Sequence, residues 1–178
     1  MDGFIIIGNK NAITYKEIFP YIKNNELWLG ITKPDVTQEV KGLCRWFTNI
    51  PHKGLNKPLL LSKEYNSIDY PKYDNYDAIE VSKVKDIPID YNGIMGVPVT
   101  FLDNYNSTQF EILLLACGNT YANTPKKELE VFNFNPNIKY GGGLGAPVLN
   151  GKGVYARVLI RKKGHISRRA PHRTQNLF

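Results

Sequence analysis

The chain is poor in cysteine and histidine. Two cysteines, Cys44 and Cys117, and three histidines, His52, His165 and His172, stand among 178 residues. A structural zinc site takes about four ligands at close spacing, and these residues do not supply them. Two cysteines make no disulfide framework, and a reducing cytoplasm fits. Long apolar runs are also missing. The longest, residues 112–117, has strand length, far short of the roughly 20 residues that span a bilayer. The start, Met1-Asp2-Gly3, lacks a basic segment and a signal-length apolar run, so secretion is not expected. Acidic residues stop at Glu130. Beyond it lie Lys139, Lys152, Arg157, Arg161, Lys162, Lys163, Arg168, Arg169 and Arg173, a charge of +9 against −2 for the first 130 residues, which together give +7. A one-sided basic end points to a polyanionic partner, although a merely solvated basic tail has the same composition.

The residues that are present read as an α/β chain. Phe4-Ile5-Ile6-Ile7, ending at Gly8-Asn9, has the pattern of a buried parallel strand, apolar on both faces. Thr14 and Glu17 have capping-box spacing. Ile18, Phe19 and Ile22 form a helical apolar face that Asn24-Asn25 ends, and Leu27-Trp28-Leu29-Gly30-Ile31 is the next strand. Strand, helix, strand is an α/β beginning. From Thr32 onward Pro34, Pro51, Pro58, Pro71, Pro88 and Pro98 punctuate the chain. Short strands are expected at 45–50, 59–62, 78–81, 110–117, 131–135 and 154–160, with a turn into a strand at 93–101. Residues 64–77, rich in Tyr, Asn and Asp, read as an irregular surface segment. The basic residues after Lys163 lack an apolar period and read as a mobile tail.

The densest chemistry lies in Lys41-Gly42-Leu43-Cys44-Arg45-Trp46-Phe47-Thr48-Asn49-Ile50. Arginine can take guanine bidentately and asparagine adenine, and an aromatic ring can wedge a base step. On a strand Arg45, Phe47 and Asn49 face one way, Trp46 and Thr48 the other. One face would then read DNA while Trp46 anchors the core; a plain core strand with both rings inward is the competing reading. His52, Lys53 and Lys57 follow in a loop within reach of phosphates. The DNA-binding candidates are therefore Arg45, Trp46, Asn49, His52 and Lys53. Gly141-Gly142-Gly143-Leu144-Gly145-Ala146 has a loose Gly-x-Gly-x-x-Ala form, but Pro147 follows and no helix opens, so a flexible loop is expected. Asn9 and Asn11 read as caps and Asn135-Pro136-Asn137 as a turn. Asp74, Asp77, Asp86 and Asp90 fit no calcium loop and read as surface pairing.

Several of these strings carry a family resemblance. Gly8-Asn9-Lys10-Asn11-Ala12-Ile13-Thr14-Tyr15-Lys16-Glu17-Ile18-Phe19-Pro20 and Arg45-Trp46-Phe47-Thr48-Asn49 are two of them. Tyr70-Pro71-Lys72-Tyr73-Asp74-Asn75-Tyr76-Asp77-Ala78-Ile79-Glu80-Val81, Lys83-Val84-Lys85-Asp86-Ile87-Pro88-Ile89-Asp90-Tyr91, Gly93-Ile94-Met95-Gly96-Val97-Pro98-Val99-Thr100-Phe101-Leu102-Asp103 and Tyr155-Ala156-Arg157-Val158-Leu159-Ile160-Arg161 follow in the same order. Over residues 4–163 the chain resembles the later half of EcoRI-type adenine-specific DNA methyltransferases. The resemblance implies an α/β fold, the later part of a Rossmann-like methyltransferase sheet with a β-rich target-recognition region. Its parts would be a remnant of the α/β core (1–31), the target-recognition region (32–91), a β-rich C-terminal part of the core (92–163) and the basic tail (164–178).

It also implies a restriction-modification enzyme that moves a methyl group from S-adenosylmethionine to the N6 amino group of adenine in double-stranded DNA. That reaction needs a cofactor pocket, an Asn/Asp-Pro-Pro-aromatic loop and a base drawn out of the duplex. No Pro-Pro occurs in the chain, and Asn135-Pro136-Asn137 lacks the second proline and the aromatic. No catalytic residue is therefore assigned. The chain alone is expected to be inactive and to bind no cofactor, with a complementary chain carrying the catalytic half, or a homo-oligomer, as its partner. A non-enzymatic DNA-binding module and a protein-interaction domain are the alternatives.

Overall fold

The structure, a computed structural model, describes residues 2–30, 32, 34–35, 42–141 and 143–164. The basic tail beyond Gly164 lies outside them. Strand β1 (Ile5–Asn9) leads into a 3₁₀ helix, Lys10–Thr14. The Asn9 side chain accepts the Asn11 N–H at 2.8 Å, the capping expected of this pair. Helix α1 (Phe19–Lys23) follows, then β2 (Trp28–Leu29) and β3 (Cys44–Thr48). The three strands form one antiparallel sheet in the order β1-β3-β2.

Two expectations change here. β1 is not a buried parallel strand: it pairs antiparallel with β3 at the sheet edge, and its isoleucines are exposed. Thr14 and Glu17 do not form a capping box. The Thr14 hydroxyl instead donates to the Asn11 carbonyl, and α1 starts only at Phe19, with Pro20 in its first turn. Proline suits that position because its missing N–H would have no intrahelical acceptor there. Asn24 ends α1 and Asn25 turns the chain with φ of 60°.

The second half builds a larger sheet. Strands β4 (Ile79–Glu80), β5 (Met95–Pro98) and β6 (Phe110–Ala116) precede two short helices, α2 (Thr120–Asn123) and α3 (Lys126–Glu130). A hairpin of β7 (Val148–Leu149) and β8 (Lys152–Gly153) comes next, and β9 (Arg157–Lys162) closes the series. The order is β4-β5-β9-β6, with β4 and β5 parallel and the other pairs antiparallel. Asn150 and Gly151 turn the hairpin with φ of 51° and 72°, the two positive values that a tight I′ turn requires.

Both faces of this sheet are covered. Val158 and Ile160 point into a core shared with Phe47, Ile22 and Phe19, while Leu159 points into a second core with Tyr73, Tyr76, Leu129 and Phe132. β6 obeys the same two faces only because of a bulge. Ile112 pairs with Ile160 but Leu114 with Leu159. The extra residue, Leu113, moves Leu114 and Ala116 to the second core, as a β-bulge does by opposing two residues to one.

The middle segments depart from expectation as well. Residues 59–62 form no strand; Lys63 alone bridges Pro88. Residues 131–135 form a turn after α3 rather than a strand, with Asn133 at φ of 47° and Phe132 buried. Residues 64–77 are irregular but not all surface, since Tyr70, Tyr73, Asn75 and Tyr76 are buried. Asn75 shows why: its amide donates to the Ala146 carbonyl and accepts the Val148 N–H, which satisfies a polar group away from water. Of the aspartates in this region Asp77 pairs with Lys72, whereas Asp74 and Asp90 accept backbone N–H groups. Among the described residues no helix is long and apolar enough to cross a membrane.

Candidate nucleic-acid interface

Three cavities run together where the small sheet meets the large one, and Thr14 lines all of them. The first, about 290 Å³, lies over Leu114 and Leu115 of β6 with Phe19, Lys23 and Glu128 around it. The second, about 700 Å³, is bordered by Lys16, Cys117, Gly118, Asn119, Asn123 and Tyr155. The third, about 450 Å³, holds Lys10, Asn11, Arg45, Thr100, Asp103 and again Tyr155. The cleft is therefore built by the 3₁₀ helix after β1, by β3, and by the loop that leaves the carboxyl end of β6.

The wall is held by local chemistry. The Thr120 hydroxyl accepts the Cys117 N–H at 2.6 Å and lies within hydrogen-bond distance of the Leu115 and Cys117 carbonyls, at 2.8 Å each. Gly143 meets Gly118 backbone to backbone: a Cβ at position 143 would sit 2.7 Å from the Gly118 Cα. Gly145, at φ of +121°, lies against Thr120, and the Tyr76 hydroxyl donates to its carbonyl. Gly143 and Gly145, in the stretch expected to be a flexible loop, are thus packed against residues 117–121, because residues without side chains let two loops touch. β7 follows it rather than a helix.

Tyr155 and Ala156 are fastened from behind. Arg157 reaches the Tyr155 carbonyl with Nη1 at 3.2 Å and grips Glu80 with Nε and Nη2, the closest contact being 2.7 Å. Glu80 is buried, and the Tyr73 hydroxyl donates to its other oxygen. Gly96 makes room for the Tyr73 ring, which occupies the space a Cβ would fill. Burial, then the neighbouring Glu80 charge and its hydrogen bond, hold the Tyr73 phenol protonated far above its ordinary value of 10.0. Residues 73, 80, 96 and 157 are distant in sequence, so no local pattern announces this cluster.

The DNA-binding candidates are dispersed. Arg45 lines the cleft near Lys10 and Asn11, and its guanidinium is paired with Asp103 at 2.8 Å. Trp46 lies on the opposite face of β3, half-buried, with its Cβ against Gly30. Phe47, not Trp46, anchors the core, so the expected assignment of faces is reversed. Strand alternation separates two faces but does not say which is inward. The Asn49 amide is spent inside the chain, accepting the Phe4 N–H at 2.8 Å and donating to the Asp2 carbonyl at 3.1 Å. His52 Nδ1 accepts the Gly54 N–H, and its Nε2 is buried with no hydrogen-bond partner among the described residues. Lys53 is exposed. Sequence reasoning missed the loop of residues 117–120 and Tyr155; a loop following the strongest strand was the available signal.

Of the glycines around the cleft, Gly143 has its Cβ space filled by Gly118 and Gly8 by the Phe47 ring, whereas Gly42, at the edge of the third cavity, has open space there.

A sequence profile of the family described as Adenine-specific methyltransferase EcoRI matches residues 2–40 and 33–163. The chain is 37% identical over 186 residues to the Type II methyltransferase M.EcoRI of Escherichia coli, covering 90% of this chain and 50% of that protein. It is 36% identical over 188 residues to M.MgeORF184P of Mycoplasma genitalium, covering 90% and 57%, and 34% identical over 191 residues to M.MpnI of Mycoplasma pneumoniae, covering 92% and 57%. No solved structure matches significantly. The chain spans about half the length of the curated relatives it matches. By the profile and these relatives, the chain belongs to the EcoRI-type family of adenine-specific methyltransferases.

Proposed function

We propose that this chain is the C-terminal, DNA-recognising portion of an S-adenosylmethionine-dependent DNA adenine N6-methyltransferase of the restriction-modification type, working in the cytoplasm and inactive alone. The observation that carries the reading is β1. Ile5, Ile6 and Ile7 are 61%, 53% and 47% exposed on an edge strand. An apolar strand with a free edge is a template for further pairing, and the chain has half the length of its relatives. The catalytic half, in the same polypeptide or another, would cover β1 and extend it into a Rossmann-like sheet. Residues 1–31 and 92–163 then belong to the core, 32–91 to target recognition and 164–178 to a basic tail that meets duplex DNA. The cofactor and the Asn-Pro-Pro-aromatic loop belong to that other half.

The test is label transfer from tritiated S-adenosylmethionine to mixed-sequence duplex DNA. The chain alone should transfer none; the chain mixed with the uncovered half of the Escherichia coli relative, joined to it in one polypeptide if mixing fails, should transfer label. Transfer by the chain alone would overturn the proposal. DNA binding without any restored transfer would favour the non-enzymatic DNA-binding module instead.

A further inference from the structure

Residues 41–63 contain Lys41, Arg45, Lys53, Lys57 and Lys63 and no acidic residue. Within this stretch Leu59-Leu60-Leu61 presents an unusual arrangement. Leu59 and Leu61 pack against the main core, while Leu60 between them is 90% exposed. The backbone that carries it is fastened although it belongs to no strand. The Gln109 side chain accepts the Leu59 N–H at 2.7 Å and donates to the Leu59 carbonyl at 3.1 Å. Upstream, Asn56 receives Ser107 and Asn106. Downstream, the Lys63 carbonyl accepts the Ile89 N–H at 2.8 Å. A bare leucine is thus held out from the surface on a clamped segment. Lys53, Lys57 and Lys63 are exposed, and none has an ion-pair partner among the described residues.

We infer that Leu60 is a wedge that enters a base step of duplex DNA while Lys57 and Lys63 hold the phosphates beside it. Apolar side chains inserted between base pairs unstack them and kink the duplex, and lysines position such a residue without reading sequence. The fastening matters because a wedge must resist the stack it opens; a leucine on a free loop would fold back onto the protein. Ile68 makes an instructive contrast. It is 89% exposed on a turn closed by Asn66, yet Asp69 adjoins it and residues 64–71 contain no lysine or arginine, so no cation beside it in sequence would hold phosphate. Exposure of an apolar side chain alone does not select Leu60; its cationic flanks and its clamp do.

The inference rests on the DNA-binding part of the proposed function, and one experiment separates the two. Mixed-sequence duplex carrying a dye at each end reports binding by anisotropy and bending by energy transfer. The full chain should bind at low salt and raise energy transfer. Leu60→Ala should lose most of that rise while its affinity falls by about tenfold or less; Ile68→Ala should behave like the parent. Lys57→Glu with Lys63→Glu should weaken binding and lower the salt slope by about one for each lysine removed. Equal bending by parent and Leu60→Ala would overturn the wedge and leave DNA binding intact. No binding by the parent would overturn both.

Discussion

At the scale of single residues, the buried cluster of Tyr73, Glu80 and Arg157 carries the most at stake. Glu80 lies in β4 and Arg157 in β9, with β5 between them. Removing one partner of a buried pair leaves the other charge uncompensated, at a cost of about 3–5 kcal/mol. Glu80→Ala should therefore lower the urea midpoint sharply and free the Tyr155 wall of the cleft. A change under about 1 kcal/mol would show that water already solvates Arg157. The same region sets an alkaline limit. Burial raises the Tyr76 phenol, as burial and Glu80 raise Tyr73, above the ordinary 10.0. In the unfolded chain both ionise near that value, in the folded chain neither does, so above it the unfolded state binds fewer protons. Stability is complete below pH 10 and falls above it by about 1.4 kcal/mol per pH unit for each such tyrosine. Tyr76→Phe should flatten that fall by one tyrosine's share in urea titrations at pH 9 to about 11; an unchanged slope would mean that Tyr76 ionises in place.

At the scale of elements, β1 and β3 show what local pattern can and cannot tell. The Ile5-Ile6-Ile7 run identified a strand but not its cover, because a strand buried on both faces and one awaiting a covering half have the same composition. Substituting lysine at Ile5 and Ile7 should suppress concentration-dependent association, seen by light scattering, as edge charges do. It should change the thermal unfolding free energy by no more than about 0.5 kcal/mol, the usual scale for exposed positions. Collapse of the fold instead would mean that β1 is core. β9 was legible because Val158, Leu159 and Ile160 pack both faces of one strand. The end of β6 was legible, but its bulge was not, since it depends on the register against β9. Of the site, the Arg45 stretch was visible as chemistry. That Asp103 pairs with it, and that Asn49 and His52 turn to backbone groups, depends on contacts remote in sequence or on loop closure that residue type does not encode.

At the scale of the whole molecule, charge is the quantity to test. The first 130 residues carry −2 and the rest +9, and Arg168, Arg169 and Arg173 fall in residues 165–178. Binding to duplex DNA releases counterions, with the logarithm of affinity falling by about 0.9 per neutralised phosphate for each unit of log salt. If the basic end meets the backbone, deleting residues 165–178 should reduce that slope by up to about 2.7, the share of three arginines. The thermal midpoint should hold, since among the described residues the two cores already close over residues 13–160; a fall in the midpoint would make the end part of the fold. Affinity at low salt should fall most, where the electrostatic share is largest. An unaltered slope would make the end a solvated tail and leave the phosphates to the cations of β3 and the loop after it. Comparing the deletion with Lys57→Glu separates the two surfaces, since their slope losses add only if both touch DNA at once.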